Sequence, residues 1–122
     1  MIVAIDFDGT IVEHKYPEIG APLPDAFRVM RRLVKAGHTL VLWTCRTDHP
    51  TDEEQAHFTE ALDFVRSNGV PMLTPDEAPS AFGEEFPVTK VFANIYIDDR
   101  NIGGFLGWDS VEEEFFDEKD EA

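Results

Sequence analysis

Ile2-Val3-Ala4-Ile5-Asp6-Phe7-Asp8-Gly9-Thr10 (IVAIDFDGT) is the stretch on which the fold turns. Ile2–Phe7 is short, β-branched and continuously apolar up to Asp6, the composition of a strand covered on both faces. Gly9 and Thr10 break it. Asp6 and Asp8 then stand two residues apart at the C-terminal end of that strand. Both point the same way if extended geometry persists to Asp8, because side chains alternate with a period of two.

Outward from this strand the pattern alternates. His14–Pro24 holds three prolines and a glycine and reads as a loop. Pro24 to Ala36 carries Phe27, Met30, Leu33 and Val34 at helical spacing, with Pro24 and Asp25 in the first turn and Gly37 at the end. His38–Trp43 is a second apolar strand, ended by Thr44, Cys45 and Arg46. Thr51 with Glu54 makes a capping-box pattern and predicts a helix to Ser67, with Phe58, Ala61, Leu62 and Val65 on one face and Gly69 as terminator. Val70–Leu73 reads as a short strand, Pro75–Pro87 as loop, and Asn94–Ile97 as a further strand closed by Asp98 and Asp99. Gly103 and Gly104 break the chain again, and Ser110–Phe116 is expected to form a last short helix. Strands alternating with helices predict an α/β fold with a parallel sheet and helices on its faces.

The bulk properties narrow the function classes. A chain of 122 residues with 43% hydrophobic residues fits one domain with an ordinary core. Cys45, the single cysteine, cannot form an internal disulfide, which suits a reducing compartment. No apolar run approaches the ~18 residues of a membrane span, and no signal-peptide pattern is present. A cytoplasmic protein without membrane contact is the expectation. The net charge of −15 argues against gripping nucleic acid, whose recognition rests on Lys and Arg. From Asp109 to the end stand eight acids and one lysine, so residues 1–108 read as the core domain and 109–122 as an acidic helix and solvated tail.

Three polar clusters fall at C-terminal strand ends: Asp6 and Asp8, Thr44 and Arg46, Asp98 and Asp99. That edge of an open α/β sheet is where ligands bind. Converging carboxylates repel and are costly beside buried strands. A hard divalent cation resolves this, and an all-oxygen donor set favours Mg²⁺ over Zn²⁺.

DFDGT at Asp6–Thr10 after an apolar strand resembles the first signature of the haloacid dehalogenase superfamily of phosphohydrolases. VLWT at Val41–Thr44 is similar to the second, and IYIDD at Ile95–Asp99 to the fourth. The third is a lysine upstream of the acidic pair, and Lys90 alone lies between the second and fourth. The resemblance implies a three-layer α/β/α Rossmann-like domain. It implies Asp6 as the nucleophile that becomes an aspartyl-phosphate and Asp8 as general acid and base. Thr44 would bind a phosphate oxygen and Lys90 would neutralise charge. Mg²⁺ would sit on Asp6, the backbone carbonyl of Asp8 and Asp98, with Asp99 close by. Gly9, Thr10, Thr44, Cys45 and Arg46 would face the substrate. Lys90 departs from the pattern, since it stands only eight residues before Asp98.

Thirty-three residues separate Thr10 from Thr44, and 45 separate Thr44 from Lys90. Neither gap holds a cap domain, so the chain resembles a capless member whose site walls are His14–Pro24 and Pro75–Pro87. The implied partner is a phosphorylated, small-molecule substrate, with a homo-oligomer left open. Phosphotransferase or phosphomutase chemistry on the same residues, a receiver domain and a non-catalytic metal-binding module are the rival readings. The DxDGT stretch on the first strand disfavours the receiver domain. Of the other polar residues, Arg46 reads as a phosphate clamp or a surface partner of Asp48, and Arg100 as orienting the acidic pair or as plain loop. Cys45 reads as packing, the four histidines as surface or helix residues, and Trp43 and Trp108 as core.

Overall fold

Continuous burial along the first strand sets the middle of the molecule. The structure is a computed structural model that describes residues 1–78 and 93–116. β1 (Ile2–Ile5) lies between β2 (Thr39–Leu42) and β3 (Ile95–Ile97), and both pairings are parallel. Ile2 opposes Thr39 and Ile5 opposes Leu42, while Val3 opposes Ile95 and Ile5 opposes Ile97. This register brings all three C-terminal strand ends level. Val3, Ala4 and Ile5 are buried, and so are Leu40, Val41 and Leu42. Since consecutive side chains point to opposite faces, β1 and β2 are covered on both sides. Each fully buried aliphatic side chain of this kind contributes about 2 kcal/mol, which pins the sheet beneath the polar residues at its edge.

β1 is shorter than its sequence predicts. It ends at Ile5, with one further ladder bond from the Asp6 N–H to the Ile97 carbonyl at 2.9 Å. The chain then turns tightly. The Phe7 carbonyl accepts from the N–H groups of Thr10, Ile11 and Val12, and the Gly9 N–H donates to the Val12 carbonyl at 2.8 Å. Val70–Leu73, expected as a strand, is reduced to an isolated parallel bridge between Leu73 and Val41. Leu73 still exchanges two 2.9 Å bonds with β2. Pro71 has no N–H to extend the ladder, and the Met72 N–H turns back to the Val70 carbonyl.

α1 (Ala26–Lys35) buries Ala26, Val29, Met30 and Leu33, a stripe offset from the predicted one: Phe27 and Val34 sit at its margin. Gly37, at φ 98, ends the run, and the His38 N–H reaches the Leu33 carbonyl. α2 (His57–Ser67) buries Ala61, Leu62 and Val65 and starts five residues later than predicted. The Thr51–Glu54 capping box does not form. Asp52 instead caps a 3-10 turn over Glu53–Gln55, its carboxylate accepting from the Glu54 N–H at 3.0 Å. Asp is as good a cap as Thr, and it stands one residue closer to the turn.

α3 (Trp108–Phe115) packs on α1. Glu112 takes Arg28 at 2.6 and 3.1 Å and Arg32 at 3.0 Å. Trp108 is 1% exposed and donates its indole N–H to the Thr10 carbonyl at 2.7 Å. The acidic segment is therefore tied to the core through Glu112. α1 also meets α2, through the Phe27 and Phe64 rings and a bond from Arg31 to the Asn68 carbonyl.

Candidate functional site

The level strand ends open into a cleft of about 340 Å³ lined by Asp6, Asp8, His14, Tyr16, Thr44, Cys45, Arg46, Asp99 and Arg100. Asp6 follows β1 directly, Thr44 lies two residues past β2, and Asp99 two past β3. Each is carried by a short strand, buried along most of β1 and β2 and half-buried in β3.

Asp6 carries the strongest electrostatic signature. Its pKa is pushed up from 3.8 to about 7. Burial is the largest cause. The Asp99 carboxyl, hydrogen-bonded to it, and the charges of Asp99 and Asp98 add to the rise, while the Phe7 backbone N–H opposes it. A neighbouring carboxyl makes ionisation of Asp6 more costly. Gly9 makes this contact sterically feasible. At φ 81, and with a Cβ there set to meet Asp99 Oδ2, the position favours glycine. Gly9 thus shapes the site from behind and is absent from the cleft lining.

Asp8 faces a different partner. Arg46 grips its carboxylate with two bonds, Nε to Oδ2 at 2.7 Å and Nη2 to Oδ1 at 2.8 Å. Arg46 also donates to the backbone carbonyls of Pro17 at 3.2 Å and Glu18 at 2.9 Å. Its guanidinium lies 5.0 Å from the centre of the Phe7 ring and 5.1 Å from that of Tyr16. The residue is 3% exposed. Four of its five N–H donors go to Asp8 and the 17–18 backbone, the guanidinium lines the cleft, and the pairing with Asp48 read from the sequence does not form. Asp48 pairs with Thr59 instead.

The acidic pair after β3 divides between the cleft and its own loop. Asp99, not Asp98, lies against Asp6 and lines the cleft. Asp98 turns to its own loop, where Oδ1 accepts from the Arg100 N–H at 2.6 Å. Thr44 lines the cleft, its hydroxyl oxygen accepting from the Arg46 N–H at 3.1 Å. Cys45 is exposed in the lining. Thr10, expected to face the substrate, is fully buried, and its hydroxyl has no hydrogen-bond partner among the described residues. Lys90 lies outside the described residues.

His14, Tyr16 and Arg100 complete the lining. His14 and Tyr16 come from the 14–24 loop, and the sequence on its own reads His14 as a surface or helix residue. Arg100 follows Asp99 directly, and its N–H donates to Asp98 Oδ1. Among the described residues no three His, Cys, Asp or Glu side chains come together in a metal-holding group. The Asp6–Asp99 pair is the two-carboxylate donor set at hand. Such a set suits Mg²⁺, which commonly takes one or two carboxylates and completes its octahedron with water and substrate oxygens.

No protein-family model matches the chain, and no curated protein matches it. Among solved structures, a conserved protein from Bacteroides thetaiotaomicron is similar to it, with a TM-score of 0.79 and 34% identity over 94% of this chain and 88% of that one. The chain belongs to the family of that conserved protein.

Proposed function

We propose that this protein is a Mg²⁺-dependent phosphohydrolase of the haloacid dehalogenase type, which cleaves a phosphomonoester by way of a phosphoryl group carried on Asp6. The proposed frame is a capless, three-layer α/β/α Rossmann-like core. The observation that carries the reading is the convergence of Asp6, Asp8, Thr44 and Asp99 from three adjacent strand ends on one cleft.

In this reading an Asp6 carboxylate oxygen attacks phosphorus and the leaving oxygen departs toward the open side of the cleft. Asp8, held by Arg46, handles the proton at the reacting oxygen. Thr44 offers its hydroxyl proton to a phosphoryl oxygen, because that hydroxyl's oxygen already accepts from Arg46. The Asp6–Asp99 pair would hold Mg²⁺, whose charge offsets the repulsion between carboxylates and phosphate. Arg100 and His14 face the substrate from the rim.

The test is hydrolysis of 4-nitrophenyl phosphate. Mg²⁺-dependent turnover is expected, and Asp6→Asn should abolish it. Equal turnover in that variant rules the mechanism out.

A further inference from the structure

Arg46 lines the cleft, yet four of its five N–H donors are committed within the protein. It is buried, paired through two bonds, and bonded again to two successive backbone carbonyls of a loop that is otherwise exposed. A bidentate Arg–carboxylate pair fixes orientation as well as distance, and the Phe7 and Tyr16 rings restrict the guanidinium further. One side chain from the end of β2 therefore joins Asp8, after β1, to the loop at Pro17 and Glu18.

We infer that Arg46 is a positioning residue, which fixes Asp8 for the second half of the reaction and holds the 14–18 segment as the cleft wall. This rests on the phosphohydrolase reading. In that half-reaction a water oxygen bonds to phosphorus as the bond from phosphorus to the Asp6 oxygen breaks. Asp6 leaves as carboxylate, and the water's proton passes to Asp8. Attack by Asp6 on an aryl phosphate, whose leaving group departs readily as an anion, does not need Asp8 in place. Attack by water does. Loss of Arg46 accordingly separates the two halves.

The experiment follows nitrophenol release from 4-nitrophenyl phosphate with Mg²⁺ by stopped flow, in wild type, Arg46→Met and Arg46→Lys. Lysine retains the charge but neither the fork nor the carbonyl bonds, so it guards against a methionine variant that fails to fold. Expected is a burst of nitrophenol equal to the enzyme concentration in each folded variant. Steady turnover should then run roughly 100-fold below wild type, the scale of a misplaced catalytic group. Phospho-enzyme should stand at a higher steady level in the variants than in wild type. A burst that shrinks in step with turnover, as a phosphate clamp would give, overturns the inference. So does unchanged turnover, and so does loss of fold in both variants, which would assign the residue to stability alone. Absence of turnover in wild type would instead remove the phosphohydrolase reading itself, and this inference with it.

Discussion

A carboxyl group whose pKa stands at about 7 responds to pH where most carboxylates are silent. Asp6 is in that position because it is buried and shares a hydrogen bond with Asp99. Its folded pKa lies above its ordinary value of 3.8, so its contribution favours folding below that value and is lost as pH rises through about 7. Asp6→Asn should therefore raise the thermal midpoint at pH 8 without added metal and leave it nearly unchanged at pH 4, as read by calorimetry at the two pH values. A variant equally stabilised at both would break the link to ionisation. Gly9→Ala tests the neighbouring contact. The left-handed φ costs about 1–2 kcal/mol for a non-glycine residue, and the new methyl group meets Asp99 Oδ2. Denaturant unfolding should show at least that loss, with aryl phosphatase activity falling further because Asp99 is displaced. At this scale the sequence disclosed the chemistry unevenly. Asp6, Asp8 and Thr44 were legible because buried strands end at them. The choice of Asp99 over Asp98 was not, since adjacent residues face opposite ways and the phase past a strand end depends on the turn. The Arg46–Asp8 pair spans 38 positions, and no local pattern encodes it.

Elements were legible in kind and blurred at their ends. The strands of 3 or 4 residues are each shorter than the spans read from the sequence, Ile2–Phe7, His38–Trp43 and Asn94–Ile97. α2 begins late because Asp52 captures the backbone in a 3-10 turn before the helix proper. Asp25, expected inside the first turn of α1, stands just before it at φ 65 and caps nothing with its side chain. α3 gives the element-scale prediction. Glu112 is held below the usual carboxylate range, first by its bonds to Arg28 and then by Arg32. A lowered folded pKa contributes stability above the ordinary value of 4.5 that is lost as pH falls through the lowered one. Glu112→Gln should lower stability at pH 7 by less than ~1 kcal/mol, since these groups are partly solvated and screened. The deficit should vanish at pH 3, which urea titrations at both pH values would measure. A persistent deficit would mean that packing, not charge, holds α3 to α1.

At the scale of the whole molecule, three parallel strands level their C-terminal ends and collect carboxylates from the first and third, with a threonine from the second. The net charge of −15 makes anionic substrates unwelcome unless cations stand at the site, which is why the account joins a divalent ion to a phosphate-handling cleft. Apolar runs and turn residues made the alternation of strand and helix readable. The cleft's walls, at His14, Tyr16 and Arg100, depend on how loops fold back and were readable only as segments. The central claim is that Asp6 itself carries the phosphoryl group. Its most direct test is peptide mass spectrometry of the protein acid-quenched during turnover of 4-nitrophenyl phosphate with Mg²⁺. The account predicts one added phosphoryl group on the peptide containing Asp6, absent in Asp6→Asn; a phosphoryl group on any other residue, or none at any time during active turnover, would contradict it.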